Sequence, residues 1–256
     1  MLTKADVPET DLLMPRFSLH EWPESVRDRR AYVDPIFARI AIRYDFMTRA
    51  LSLGQEQRQK RRAVRLIPKD REQKRLLDLA TGTGDFPLHV CDAGFKGWIV
   101  GLDRNPKMLA VARRKCTQQE QTQFVLGDLM EIPFKNNSFD VITIGYGLRY
   151  VADIQQTLRE VFRLLRSNGM FICLDFGIPK NPVYRQVCFG YLLLLGSVWG
   201  LILHRRIDTY WHIVESLKSY PGQEAVGKWL EETGFQQVQL FRKLGGIVTI
   251  FSGTRP

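Results

Sequence analysis

The sequence predicts a doubly wound α/β fold built on a mostly parallel sheet of seven strands. Short apolar runs alternate with amphipathic stretches along most of its 256 residues. This alternation is typical of parallel strands that are covered by helices on both faces. Two β-rich runs joined by Gly245-Gly246 close the chain, and they predict a C-terminal antiparallel hairpin at one edge of the sheet.

The predicted strands are seven runs of apolar or β-branched residues. In chain order they cover residues 75–79, 98–102, 123–126, 139–144, 169–176, 236–241 and 247–252. Two of the helices between them have clear beginnings. Asn105 precedes Pro106, and Asp153 precedes an amphipathic stretch, so both are predicted N-caps because their side chains can accept from free helical N–H groups.

We predict one domain over residues 31–256, preceded by an extension. Residues 1–30 are polar, mixed in charge and interrupted by prolines, and we expect this segment to be partly disordered. Residues 31–68 are predicted to form a helical cap, since Ile36, Ile40, Tyr44 and Met47 recur at steps of three or four. A lid insertion is expected at about 180–220.

The composition is that of a globular protein with an anionic partner. Apolar residues make up 45% of the chain and charged residues 25%, values that exclude wholesale disorder. The net charge of +10 favours nucleic acid or an anionic membrane surface as a partner. The four cysteines and four histidines show no metal-ligand spacing, so we expect no metal, no disulfide framework and a reducing cytosol.

A glycine-rich turn follows the first predicted strand. It reads Ala80-Thr81-Gly82-Thr83-Gly84-Asp85, and the two glycines let a ligand lie against bare backbone at the carboxyl end of the sheet. About twenty residues later, Asp103 ends the second strand, where a carboxylate can accept both hydroxyls of a ribose. Asp128 follows the third strand and is placed to contact an adenine amino group.

The acids around this turn favour S-adenosylmethionine (AdoMet) over a dinucleotide. A dinucleotide fingerprint requires a third glycine or alanine where this chain has Pro87. Asp85 would also repel a pyrophosphate at the start of the helix. AdoMet has no phosphate and carries a cationic sulfonium and an amino group, which Asp78 and Asp85 suit. We therefore predict an AdoMet-dependent methyltransferase that binds AdoMet through Asp78, Gly82, Gly84 and Asp103.

From Tyr32 onward the chain resembles the ubiquinone/menaquinone biosynthesis C-methyltransferases, which have the Rossmann-like fold of class I methyltransferases. The resemblance is carried by residues 37–47, by Gly147-Leu148-Arg149 and by a late motif of Tyr210, Glu215, Ser216-Leu217 and Tyr220-Pro221. It implies AdoMet-dependent methylation of a ring carbon on a prenylated quinol, such as a demethylmenaquinol or a ubiquinone precursor. It also implies cofactor contacts at Thr83, Asp103, Asp128, Leu129 and Gly145.

The substrate side departs from the family pattern. The family usually has asparagine where this chain has Thr48 and Tyr150, and histidine and tryptophan where it has Glu56 and Gln59. Two alternatives therefore stay open beside the quinol. One is methylation of another lipophilic or phenolic small molecule, and the other is a non-catalytic AdoMet-binding subunit of a quinone-biosynthesis assembly.

Three residues are predicted to act in catalysis. A ring carbon becomes nucleophilic when the neighbouring hydroxyl loses its proton, so the site needs a base or a cation for the phenolate. We predict that Arg149 stabilises the phenolate, that Tyr44 orients the ring or contacts the amino-acid end of AdoMet, and that Tyr150 alters proton handling. Alternatively, Arg149 is an ordinary surface arginine, and Tyr44 and Tyr150 serve only in packing.

Residues 188–203 carry no charge and are flanked by Arg185 and His204-Arg205-Arg206. As a helix they span about 24 Å, less than the roughly 30 Å of a bilayer core. We expect a lid that forms a groove for a polyprenyl tail and touches the bilayer; a buried core helix and a membrane span are the alternatives.

Nine basic residues lie between Arg58 and Arg75. They either form a solvated helix face or bind anionic lipid headgroups. RNA is not expected, because the loop at Gly145-Tyr146-Gly147 lacks a base-methylating motif and no stacking aromatics interleave with the basic run. The expected partners are a lipophilic quinol, an anionic membrane surface and, as an open alternative, a second copy of the chain in a homodimer. The expected location is the cytoplasm, at the membrane periphery.

Overall fold

The computed structural model describes Pro23, residues 26–68 and residues 74–256. Its centre is a seven-stranded sheet in the order β3-β2-β1-β4-β5-β7-β6. The strands are β1 (Arg75–Leu79), β2 (Trp98–Asp103), β3 (Thr122–Leu126), β4 (Phe139–Gly145), β5 (Leu165–Phe176), β6 (Gln236–Lys243) and β7 (Val248–Thr254). Strands β1 to β5 are parallel, and β7 runs antiparallel to both β5 and β6. The predicted fold class and the closing hairpin are confirmed.

Helices cover both faces of this sheet. They are α1 (Val26–Ile40), α2 (Tyr44–Leu51), α3 (Gln55–Val64), α4 (Asp85–Asp92), α5 (Pro106–Lys115), α6 (Ile154–Leu164), α7 (Pro182–His204), α8 (His212–Lys218) and α9 (Gln223–Thr233). Both predicted N-caps are confirmed. The Asn105 side chain accepts from the amide of Lys107 at 3.0 Å, and Asp153 accepts from the amide of Gln156 at 2.9 Å.

The helical cap begins earlier than its apolar pattern predicts. Helix α1 starts at Val26, inside the segment expected to be a partly disordered extension; the rest of that prediction lies outside the described residues apart from Pro23. Charged side chains anchor this first part of α1. Arg29 donates to the carbonyls of Val151 and Ala152 at 3.0 and 3.2 Å. Apolar spacing could not reveal this anchor, because the contacts are polar and distant in sequence.

Strand β5 also begins earlier than predicted, at Leu165 instead of Gly169. Its ladder with β4 passes from Leu165 opposite Phe139 to Met170 opposite Val141. Residues 166–169 therefore bulge out of the ladder. The polar residues at these positions thus form a bulge within the strand instead of a turn before it.

The core lies on both faces of the sheet and sets the position of the strand ends. Successive residues of one strand point to opposite faces, so Leu77 and Leu79 pack on one side of β1 while Leu76 packs on the other. All three side chains are fully buried.

Strand order reverses between β1 and its neighbours β2 and β4. In doubly wound sheets this switch point is where ligands bind.

Gly84 fixes the distance between the glycine-rich turn and α5. Its φ is +74°, and a Cβ added there would lie 3.0 Å from the Ala112 Cβ and 3.1 Å from the Phe124 ring. Gly54 has the same φ, and a Cβ there would meet no heavy atom within 4 Å. Both glycines are N-caps, of α4 and α3 respectively.

We expect Gly84→Ala to lower the free energy of unfolding more than Gly54→Ala does. Both alanines carry the left-handed backbone penalty of about 1 kcal/mol, and Gly84→Ala adds overpacking of about 1–3 kcal/mol. Urea unfolding of the two variants measures the difference. Equal decreases in the free energy of unfolding would show that close packing is not the reason for a glycine at position 84.

Candidate active site

Two adjoining cavities open at the switch point between β1 and β4. The smaller has a volume of about 100 Å³ and lies over the ends of β2 and β3; the larger, of about 420 Å³, extends toward α7. They share a wall that includes Phe37, Tyr44, Gly82, Gly145 and Tyr150. The glycine-rich turn and the loop after β4 thus face the same space, as the sequence predicts.

Asp103 lies at the end of β2, on the wall of the smaller cavity. Its carboxylate accepts from the Gly82 amide and from the Asn105 amide, both at 2.8 Å. Burial raises the pKa of Asp103, while these two amides oppose the rise. Each oxygen keeps a further lone pair, so the group can accept from two ribose hydroxyls.

Asp128 and Leu129 also line the smaller cavity. The Asp128 carboxylate accepts from the Met130 amide at 2.9 Å and pairs with Arg30 of α1 at 2.9 Å. Leu129 is 7% exposed and supplies an apolar surface. The predicted contact of Asp128 with adenine stays a prediction. Arg30 was assigned to the extension by sequence, and the structure places it at this site.

Asp78 lies under the turn and is 1% exposed. It accepts from the Thr81 and Thr143 hydroxyls, both at 2.6 Å. Burial raises its pKa to about 7 despite these two bonds. The side chain borders the larger cavity, but its hydrogen bonds first of all hold β1, β4 and the turn together.

Asp85 does not offer a free negative charge to a cationic ligand, contrary to the sequence-based argument. It pairs with Lys60 of α3 and, at 3.0 Å, with Lys115 of α5. Burial alone would raise the pKa of Asp85, but the two lysines hold it well below its usual range. The carboxylate therefore joins the helical cap to the nucleotide-binding half.

Thr83 belongs to the same polar cluster. Its hydroxyl donates to Asp45 at 2.5 Å, and Asp45 pairs with Lys115 at 2.5 Å. Thr83 is 1% exposed and lies on the larger cavity with Gly82 and Gly145. The structure thus brings Thr83, Gly82 and Gly145 together, while Gly84 faces α5 instead.

Arg149 is buried at the larger cavity and is not a free cation. Its guanidinium pairs with Asp175 and donates to the Tyr146 carbonyl at 3.0 Å, to the Tyr150 hydroxyl at 2.8 Å and to the Ser216 hydroxyl at 3.3 Å. Four of its five N–H groups are thus used. Arg149 is thus not the surface arginine of the alternative interpretation, and its predicted stabilisation of a phenolate stays a prediction.

The ring that Arg149 positions is Tyr150. The guanidinium lies 4.2 Å from the centre of the Tyr150 ring and 4.7 Å from that of Phe176. Tyr150 and Tyr44 both border the two cavities. Both predicted catalytic tyrosines therefore lie on the wall that the two cavities share; their chemical roles stay predictions.

The donors and acceptors fit AdoMet. Asp103 suits a ribose, Leu129 and Met108 give the smaller cavity apolar walls, and the shared wall leads on to the turn. Within the described parts of the chain, no three His, Cys, Asp or Glu side chains are arranged to hold a metal ion. The fold and this site define an AdoMet-dependent methyltransferase of class I.

Comparisons with known proteins identify the family of this methyltransferase. Residues 24–255 match the model of the ubiE/COQ5 methyltransferase family. A demethylmenaquinone methyltransferase of Staphylococcus aureus is 32% identical over 222 residues, which are 86% of this chain and 92% of the relative. The chain therefore belongs to the ubiE/COQ5 methyltransferase family, and the resemblance seen in the sequence is confirmed.

Solved structures support the fold. A phosphoethanolamine N-methyltransferase 2 of Haemonchus contortus in complex with S-adenosyl-L-methionine has a TM-score of 0.62 at 14% identity, over 94% of this chain and 60% of that one. An AdoMet-dependent methyltransferase of Aquifex aeolicus has a TM-score of 0.51 at 15% identity, over 73% of this chain and 84% of that one. At such identities the likeness concerns the fold alone.

Sequence reasoning missed four contributors to the site. Arg30, Asp45, Lys115 and Asp175 reach it from α1, α2, α5 and β5. Asp45 lies within the Tyr-Asp-x-Met segment that carries the family resemblance, so its position could have been flagged. The other three are ordinary charged residues whose partners are far away in the chain, and no local pattern marks them.

We expect Asp103→Asn to weaken AdoMet binding by roughly 10- to 100-fold, because a hydrogen bond to a charged group contributes about 1.5–3 kcal/mol. Isothermal titration calorimetry measures the dissociation constant. Asp140→Asn is the matched control, since Asp140 pairs with Arg166 outside both cavities. An unchanged dissociation constant in Asp103→Asn would remove Asp103 from the ribose site.

Proposed function

We propose that this methyltransferase transfers the AdoMet methyl group to a ring carbon of a prenylated quinol. The observation that carries the proposal is the larger cavity, which joins a polar end beside the glycine-rich turn to a long apolar outlet. A quinol has the same two parts, a polar ring and an apolar tail. The S. aureus relative, a demethylmenaquinone methyltransferase, supports a quinol as the substrate.

The apolar outlet passes between the helical cap and α7. Its walls include Leu51 and Leu53 on the cap side and Val187, Tyr191 and Leu192 on α7. Leu53 and Val187 are 75% and 62% exposed, so the outlet reaches the protein surface. A polyprenyl chain laid there would leave its far end at the face of α7.

The polar end can hold and orient a quinol ring. Tyr44 and Tyr150 border it, and Arg149 fixes Tyr150. AdoMet, when bound, supplies the methyl group. The contribution of this chain is to place the ring carbon in line with that group and to exclude water, because methyl transfer is accelerated mainly by near-attack positioning.

A methylation assay with reduced prenylated naphthoquinone and benzoquinone precursors tests the proposal. We expect label from methyl-labelled AdoMet in the quinol ring, and a kcat/KM at least about 10-fold lower for the same rings without a tail, since each buried CH₂ contributes about 0.8 kcal/mol. Mass spectrometry of the product identifies the methylated carbon. Label in another phenolic compound and in no quinol would overturn the quinol assignment. AdoMet binding without any turnover would favour the non-catalytic alternative.

We further propose that the enzyme works in the cytoplasm at the surface of an anionic membrane, with α7 against the lipid. An outer stripe of α7 consists of exposed apolar side chains at steps of three or four. These are Val183, Val187, Tyr191, Leu194, Val198 and Leu201, each between 38% and 72% exposed. So large an apolar stripe is uncommon on the surface of a monomer and is typical of an interaction site.

Exposed basic side chains lie on neighbouring parts of the chain. Arg205 directly follows α7, Arg49 is exposed on α2, which packs against α7, and Arg58, Arg61 and Arg62 are exposed on α3. The basic run of α3 is therefore largely a solvated face, as one of the two interpretations of the sequence expects. Lys60 is the exception, because it is buried against Asp85. Exposed arginines near an apolar stripe suit anionic headgroups.

Helix α7 is long and apolar enough to cross a bilayer by length and composition, with a mean hydropathy of 1.9 and 22% of its most apolar window buried. At 23 residues it spans about 34 Å. The helix is therefore longer than the uncharged segment 188–203, and its length does not exclude a membrane span. The helix is nevertheless attached to the domain at points along its length. Tyr191 donates to the Leu51 carbonyl at 3.1 Å, and Ser197 accepts from Trp211 at 2.8 Å. These contacts favour a helix that lies along the membrane surface.

We expect Leu194→Asp to weaken binding to vesicles of phosphatidylcholine and phosphatidylglycerol by roughly 10-fold or more, because burying a leucine side chain contributes about 1.5–3 kcal/mol. Trp98→Asp is the control, since Trp98 is 57% exposed on β2 and outside the stripe. Vesicle flotation measures binding. A Leu194→Asp protein that binds vesicles like the wild type but sediments at half its mass would assign the stripe to a homodimer instead.

A further inference from the structure

His212 is a buried histidine on the wall of the larger cavity, and neither the family resemblance nor the predicted site accounts for it. It is the first residue of α8 and is 2% exposed. Its ring centre lies 5.7 Å from that of Phe37 and 5.8 Å from that of Tyr150. Phe37 and Tyr150 belong to the wall shared by the two cavities, so His212 adjoins the place of methyl transfer.

The hydrogen bonds of His212 fix which nitrogen carries the proton. Nδ1 lies 3.0 Å from the Thr209 carbonyl oxygen, which can only accept, so Nδ1 is protonated and donates. Nε2 then keeps its lone pair. Within the described residues, no donor is hydrogen-bonded to Nε2. His212 thus has an unprotonated ring nitrogen, and the residue lines the cavity proposed to hold a quinol.

His212 is neutral at physiological pH. Burial and the nearby charge of Arg149 lower its pKa to about 3. A neutral imidazole can take a proton when a negative charge forms beside it, because an adjacent opposite charge raises the pKa of the imidazolium. Departure of a proton from a quinol hydroxyl creates such a charge.

The acidic side chains that line the larger cavity, and two acids close to it, are already engaged; among them Asp85 is paired with Lys60 and Lys115. Asp175 is paired with Arg149, Glu56 is paired with Lys60 at 2.8 Å, and Glu215 accepts from the Tyr32 hydroxyl at 2.6 Å. Asp78 accepts from two threonines. Arginine is always protonated and cannot act as a base. His212 is therefore the group best placed to receive the hydroxyl proton.

We propose that His212 is the general base that takes the proton from the quinol hydroxyl next to the methylated carbon. This inference rests on the proposed function. The hydroxyl proton moves to Nε2, and the electron pair of the O–H bond moves into the ring. The neighbouring ring carbon then forms a bond to the methyl group as the bond between methyl and sulfur breaks, leaving S-adenosylhomocysteine.

The remaining protons are balanced by rearomatisation. The methylated carbon loses its hydrogen as a proton to solvent, and the electrons of that C–H bond restore the aromatic ring. His212 returns its proton to the oxygen. The products are the methylated quinol, S-adenosylhomocysteine and one proton released, and His212 is again neutral.

Three substitutions and added imidazole test this role. His212→Ala leaves space for imidazole, His212→Phe fills that space, and His212→Gln keeps an acceptor near Nε2 that cannot take a proton. We expect kcat to fall at least about 100-fold in all three, the range of general-base catalysis, with AdoMet binding by calorimetry within about twofold of the wild type. Added imidazole should restore kcat of His212→Ala by about 10-fold and leave His212→Phe unchanged.

Three outcomes would overturn the assignment. Wild-type kcat in His212→Gln would show that no proton needs to be taken there. Loss of kcat in folded His212→Ala without rescue would reduce His212 to positioning, and if His212→Ala does not fold, His212→Gln decides alone. A wild-type enzyme that methylates no quinol would refute the proposed function and this inference together, whereas quinol methylation that survives His212→Gln would refute the inference alone.

Discussion

The structure depends on a largely buried carboxylate, Asp85, that two lysines from different elements compensate. Lys60 comes from the helical cap and Lys115 from α5, and Lys115 also holds Asp45 of α2. Removing one partner of a buried pair leaves an uncompensated charge and costs about 3–5 kcal/mol. The helical cap is therefore tied to the nucleotide-binding half by charge. The two cavities share their wall because this tie holds Phe37 and Tyr44 over the glycine-rich turn.

A second buried pair organises the opposite side of the site. Arg149 and Asp175 are 4% and 0% exposed at their side chains, and their bonds connect the loop after β4 with β5 and α8. The pair leaves no excess charge at the ring site. It positions Tyr150, and its guanidinium adds to the effect of burial in lowering the pKa of His212. A site built from compensated charges is suited to a neutral quinol, since a free charge would favour water or ions over an aromatic ring.

Helix α7 extends from the larger cavity to the protein surface. Its inner face carries Phe189 and Leu192 and, at Gly200, approaches the chain so closely that a Cβ would lie 2.4 Å from the Arg206 carbonyl oxygen. Its outer face is apolar and exposed. One helix thus forms a wall of the outlet and also carries the apolar stripe, and under the proposed function a prenyl tail would pass from lipid to the cavity without crossing water.

The sequence by itself determined the fold class, the seven strands, two helix N-caps, and the placement of Gly82, Asp103, Asp128 and Gly145 at the strand ends. These follow from local rules, since strands, caps and tight turns are encoded over a few residues and parallel strand ends meet at one edge. Only the tertiary structure decided what the charged residues do. The ion pairs Lys60–Asp85 and Arg149–Asp175 join residues 25 and 26 positions apart, and the tautomer of His212 depends on a carbonyl that no pattern marks. Charge compensation is a matter of distance in space, and a linear sequence does not contain that distance.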